Sequence, residues 1–332
     1  MSNWNSLKLA ILISAILFSV SVQAQFFNKE RWDKNRHQLQ FGIGASNFLG
    51  DLGGKDAIGT NDFKDLELSL TKLSAFVGWK YALRKNLHLR TDFTWGQVEG
   101  DDKLTQEIFR QNRNLNFRSH IFDLSAMFEL EIPIKREKGH IYDIRGARGW
   151  KYKGSSFHLF AGLGGFYYNP RTKLDGQWVE LRPLRTEGQG LPDGPDMYKR
   201  VSLCIPVGLG LSTRISKQWS LALEATYRFT FTDYIDDVST VYYNPQELAL
   251  YVGGPQGDVA SYLSNPALGY ANGGLSNRVT SPGMQRGDPS DNDGYMFVML
   301  KANRLIKKQP KRTMFKTNKP RYKRGKSKRI IF

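Results

Sequence analysis

Apolar and polar side chains alternate with a period of two in eight separate runs of this 332-residue chain, and that pattern leaves few folds open. A strand sends successive side chains to opposite faces, so each run describes a sheet segment with one apolar and one polar face. The first run sets Leu39, Phe41, Ile43 and Ala45 against Gln40, Gly42, Gly44 and Ser46. The second sets Leu73, Ala75, Val77, Trp79 and Tyr81 against Ser74, Phe76, Gly78 and Lys80. In the third, Leu87, Leu89, Thr91, Phe93 and Trp95 alternate with His88, Arg90, Asp92, Thr94 and Gly96. In the fourth, Phe122, Leu124, Ala126, Phe128, Leu130 and Ile132 alternate with Asp123, Ser125, Met127, Glu129 and Glu131. Further runs occupy residues 157–168, 201–212, 219–232 and 294–303.

The connections alternate in length. Short links at 84–86 and 216–218 contrast with long ones at 49–67, 100–116, 169–200 and 233–293. The link at 135–155 is the irregular member, longer than its place on the short side suggests. Short turns at one end, long loops at the other and an even strand count predict an all-β fold. The expected form is an eight-stranded antiparallel transmembrane β-barrel of the outer-membrane type, with long extracellular loops. The competitor is a soluble eight-stranded barrel whose apolar face turns inward around a ligand, as in a periplasmic carrier.

The polar face separates the two. It carries Lys80, His88, Arg90, Asp92, Asp123, Glu129, Glu131, His158, Glu224 and Arg228. These groups cannot sit against lipid, but they can pair within a narrow lumen as a polar network, and the formal charges of the strand segments between the connections, from residue 39 to residue 300, sum to zero. Trp79, Tyr81, Trp95, Tyr167, Tyr168, Trp219, Phe229 and Phe231 fall near the ends of runs, where an interfacial aromatic girdle is expected.

The N-terminus reads as a secretory signal peptide over residues 1–24. Lys8 precedes an apolar run at 9–22, and Val22 and Ala24 supply the small residues before a cut between Ala24 and Gln25. A retained anchor helix is the alternative, although the run is short for a span of about 20 residues. Residues 25–303 are then the barrel and 304–332 a disordered, basic periplasmic tail.

Catalytic and cofactor motifs are weak. The single cysteine, Cys204, excludes an internal disulfide, and no cysteine–histidine spacing suits zinc. The glycines at 42 and 44, 162–165 and 208–210 lack the strand–turn–helix setting of a dinucleotide loop; on an inward face they make room for large neighbours. His88 and His158 sit beside carboxylates, but no Gly-x-Ser-x-Gly accompanies them, so they read as lumen residues and not as catalytic ones. Asp233, Asp236 and Asp237, with the acidic segment 288–293, resemble calcium ligands. No frame fits a twelve-residue EF-hand loop, however, and acidic turns are the cheaper reading, with structural calcium as the alternative. No catalytic residue, cofactor or metal ligand is therefore assigned.

Charge is very unevenly placed. Of the net +17, residues 301–332 contribute 14 basic groups and no acidic ones, including Lys307, Lys308, Lys311, Arg312, Arg321, Lys323, Arg324 and Arg329. With both termini and the short turns on the periplasmic side, that face sums to +25 and the long loops to −9. A signal peptide argues against nucleic acid as the partner of such a tail. A basic periplasmic face suits an acidic protein surface or the anionic cell wall, while the barrel contacts outer-membrane lipid.

Four segments carry a more specific likeness: residues 41–54 (FGIGASNFLGDLGG), 186–192 (TEGQGLP), 227–243 (YRFTFTDYIDDVSTVYY) and 283–288 (GMQRGD). Together they resemble the PorG-like outer-membrane β-barrel family of the type IX secretion system, over nearly all of the chain between the leader and residue 303. The resemblance implies a non-enzymatic barrel that anchors a periplasmic ring of PorK/PorN-like proteins to the outer membrane. An outer-membrane enzyme or small-solute channel is the alternative.

Overall fold

The computed structural model describes residues 36–52, 70–104, 107–135, 154–216, 218–267 and 277–306. The expected leader with its cleavage position between Ala24 and Gln25, the expected tail contacts from Lys307 to Arg329, and most of the 135–155 link lie outside the described residues.

Eight antiparallel strands form the barrel: β1 (His37–Leu49), β2 (Lys72–Ala82), β3 (Leu87–Asp101), β4 (Asn116–Lys135), β5 (Ser155–Tyr167), β8 (Val201–Arg214), β9 (Trp219–Thr230) and β10 (Gly294–Leu305). The order β3-β2-β1-β10-β9-β8-β5-β4 closes through a β3–β4 pairing, so every barrel strand has two neighbours. Closure is what a membrane demands, because lipid offers no partner to an unpaired sheet edge. A further hairpin, β6 (Pro170–Leu174) with β7 (Gln177–Glu180), pairs with the first residues of β4, where Arg118 lies opposite Arg171. The sequence pattern did not show this hairpin, because strands this short carry too few alternations to register.

The alternation sorts the side chains as its parity requires. Ile43, Leu73, Leu163 and Leu203 point outward and are 64, 63, 70 and 66% exposed, whereas Gln40, Ser74, Arg90, Asp123 and Glu224 on the other parity are buried. An exposed band of leucine, valine, isoleucine and phenylalanine around a charged interior is the inverse of a soluble carrier, and it makes this a transmembrane β-barrel of the outer-membrane type. Among the described residues no helix is long and apolar enough to cross a membrane.

At the long-loop end the polarity inverts. There Val98, Phe117 and Ile121 face inward and are fully buried, while Glu99 lies outside and bridges Lys72 at 2.6 Å and Arg118. The strands have left the lipid here, so water is outside and an apolar core lies within. This is why β4 begins at Asn116, well before the alternation starting at Phe122. Tyr168 belongs to that core: it is fully buried, its hydroxyl lies 3.1 Å from Thr232, and it is not part of the girdle, whereas Tyr167, Phe229 and Phe231 do point outward.

Candidate functional site

Two assemblies of polar side chains stand out, one inside the barrel and one across its long-loop end. The first gathers all ten lumen residues. Toward the short-turn end Lys80 binds Glu129 and lies 3.8 Å from Glu131, which also has His88 at 3.8 Å and accepts a hydrogen bond from Ser156 at 2.7 Å. In the middle, Arg90 reaches Asp92 at 2.5 Å, Glu224 at 2.9 Å and Glu129 at 3.2 Å, and His158 lies 3.1 Å from Glu224. Nearer the loops Arg228 donates to Asp123 at 3.0 Å, and Asp123 also accepts from the Tyr295 hydroxyl at 2.9 Å and from Ser125.

An eleventh member opens the run of basic residues at 301–332. Lys301 is buried in β10, 2.6 Å from Glu224 and 3.4 Å from Asp92, with its ammonium over the Phe76 ring. Its parity matches that of Tyr295 and Phe297, and that was the available signal. With it, four fixed cations face five carboxylates, and the aromatic rings of Phe76, Phe160 and Phe297 cover the guanidinium and ammonium groups. Charges this deeply buried persist only when paired, and here they are paired across strands on opposite sides of the barrel. The lumen is thus filled by its own side chains, as expected at eight strands.

The second assembly is a cap built from all four long loops. In the 102–115 loop, helix α1 (Ile108–Arg113) is capped by Glu107, whose carboxylate accepts from the Phe109 and Arg110 amides at 3.1 and 2.7 Å. The helix delivers Arg113, which grips Asp102 with two bonds of 2.8 and 2.9 Å and donates to the carbonyls of Asp51 and Arg286 at 2.8 and 2.6 Å. One guanidinium therefore joins three loops. Arg286 does the same for the others, donating to Glu187 at 2.9 Å and to the Asp237 carbonyl at 2.7 Å. Glu187 in turn accepts from the Ser239 and Thr240 amides at 3.0 and 3.1 Å. Helices α2 (Pro245–Val252) and α3 (Gly254–Ser264) pack their buried Leu248, Ala260 and Leu263 into the same core.

Asp237 is held by the Tyr198 hydroxyl at 2.6 Å and the Thr186 hydroxyl at 2.5 Å. Burial nevertheless pushes its carboxyl up to about 6, despite Arg286 nearby. Asp233, Asp236 and Asp293 are raised further: burial dominates in each, and repulsion from neighbouring aspartates adds to it, taking Asp233 to about 9. The four segments that carry the family resemblance, far apart in sequence, meet in this cap through Asp51, Glu187, Asp236, Asp237 and Arg286.

These features define a closed, plugged outer-membrane β-barrel with a structured loop cap. No family model and no curated protein matches the chain. Among solved structures it is similar to Neisserial surface protein A, at 8% identity and a TM-score of 0.34 over 81% of this chain and 97% of that one. It is similar also to Ail, the attachment invasion locus protein of Yersinia pestis. In complex with the heparin analogue sucrose octasulfate, Ail gives 8% identity and a TM-score of 0.34 over 82% of this chain and 99% of that one. Without that ligand Ail gives 7% identity and a TM-score of 0.33 over the same shares.

Proposed function

We propose that this chain is a non-enzymatic component of the type IX protein secretion system that anchors a periplasmic ring of PorK/PorN-like proteins to the outer membrane. The observation that carries the reading is the filled lumen. With Arg90, Lys301, Arg228 and their acidic partners packed across it, the barrel has no route for a protein, so its work falls to its two faces. The resemblance of the cap-forming segments to the PorG-like family supports the choice of system. The basic short-turn side, which we assign to the periplasm together with both termini, supplies a surface for an acidic ring protein, screened beyond about 8 Å at physiological salt.

Deleting residues 307–332 tests this. The truncated barrel is expected to insert normally and to co-purify poorly with the ring proteins, the loss growing as salt is raised. Undiminished capture would remove the tail from the mechanism. For the non-enzymatic part, His88→Ala and His158→Ala are expected to leave protein export largely intact, because an anchor gives neither histidine a chemical step and both are buried in the lumen beside carboxylates.

A further inference from the structure

We propose that the loop cap binds a divalent cation, calcium by the chemistry of its donors, between Asp51, Asp233, Asp236 and Asp293. These residues come from the first long loop and from both ends of the 233–293 loop, and the backbone draws them together. Asp236 accepts from the Leu52 amide at 2.9 Å, Asp293 from the Ile235 amide at 2.8 Å, and Asp51 from the Asp288 amide at 2.7 Å. Two glycines allow the approach. A Cβ at Gly50 would lie 2.1 Å from Asp293 Oδ1, and one at Gly287 would lie 2.4 Å from Asp51 Oδ2.

The cluster holds carboxylate oxygens that nothing in the protein satisfies. Asp233 is 8% exposed and, among the described residues, no backbone amide or cation reaches either of its oxygens; the Ser239 hydroxyl lies beside it. Asp293 is 1% exposed and its Oδ1 is likewise unpartnered. Among the described residues no lysine or arginine lies within ion-pair distance of any of the four: Arg113, whose field favours the charged forms of Asp51 and Asp236, makes its direct pair with Asp102, and Arg286 makes its own with Glu187. Buried carboxylates in this position need a proton or a cation.

The donor set chooses the cation. It is all oxygen, with no histidine or cysteine, which favours a hard ion over zinc or copper. Calcium accepts irregular shells of 6–8 oxygens completed by carbonyls and water, whereas magnesium demands a tight octahedron. No three of the aspartates reach the mutual 4.8 Å found for His88, Glu129 and Glu131, so binding must draw them in. That places the expected affinity with extracellular modules, about 10⁻⁴–10⁻³ M. The His88 group is closer set, but the Lys80 ammonium already serves its carboxylates. Because the ligands come from distant segments, no contiguous EF-hand frame exists to be read in the sequence.

The test uses the full chain in detergent, stripped with EDTA and dialysed. Terbium added to it is expected to give saturable luminescence sensitised by Tyr234, displaced by calcium at about 0.1–1 mM and not by equal magnesium. Asp233→Asn and Asp293→Asn should each weaken terbium binding roughly tenfold, while Asp258→Asn, on the exposed side of α3, should not. Calcium should also slow tryptic cutting within 233–293 in the unmodified protein, a readout that stands even if a variant fails to fold. Absence of a saturable signal, failure of calcium to displace terbium, binding unchanged in both Asp233→Asn and Asp293→Asn, or cutting indifferent to calcium would each overturn the proposal.

Discussion

Arg90 shows what one residue does in this barrel. Its guanidinium touches Asp92, Glu129 and Glu224 and lies over the Phe160 ring, so it neutralises acids contributed by three strands. Arg90→Met would leave those carboxylates without their shared cation in a dry interior, where breaking a buried pair costs about 3–5 kcal/mol. Reversible urea unfolding in micelles, followed by tryptophan fluorescence, should show a loss of that size. Thr91→Ala, one position along and on the outer parity, should change stability by no more than about 0.5 kcal/mol. A loss for Arg90→Met as small as that for Thr91→Ala would mean that the network is not holding the barrel together. Residues of this kind are legible in sequence because parity alone assigns them a face. Lys301 and Tyr168 were legible by the same rule: one shares the parity of Tyr295 and the other that of Phe166. They were misplaced because a run of basic residues and a cluster of aromatics drew them to other groups.

Elements were legible where the lipid imposes its pattern and illegible where it does not. The eight barrel strands follow from alternation, but their extensions into the cap reverse which face is apolar, so β3 and β4 run past the ends of the recognisable pattern. The cap elements are short. Helix α1 has six residues and is fixed by the Glu107 cap and by Arg113, while β7 has four and is fixed by its pairing with β6; neither is long enough to show a period. No sequence rule indicates that Glu187 will meet Arg286 across 99 positions. That contact carries a prediction for the loops alone. Arg286→Ala should release the 186–192 segment from the 233–293 loop and speed proteolytic cutting there, as mapped by mass spectrometry. The barrel, whose strand pairing is untouched, should keep its heat-dependent mobility in detergent gels. Cutting at the wild-type rate would show that Arg113 and the apolar core suffice to hold the cap.

For the whole molecule, closure, filling and sidedness are linked. With eight strands β1 begins and β10 ends on the same rim as the 82–87 turn, and the four loops close over the opposite rim. A cap of arginine-bridged loops above a lumen of paired charges seals the barrel twice, so planar bilayers containing the purified protein should show no wide-pore conductance steps. The cap, not the lumen, is then the surface presented to one compartment, and the basic rim is presented to the other. The lone cysteine allows this orientation to be measured directly, because Cys204 is fully buried and contributes little background. Leu250→Cys places a thiol on α2 where the native side chain is 83% exposed, and Lys85→Cys places one on the exposed β2–β3 turn. If the loops face outward, a membrane-impermeant maleimide added to intact cells labels the first variant and spares the second until the outer membrane is permeabilised. The opposite pattern would put the negative loops in the periplasm and the basic rim outside, and an anchor for a periplasmic ring would then have to bind through the cap.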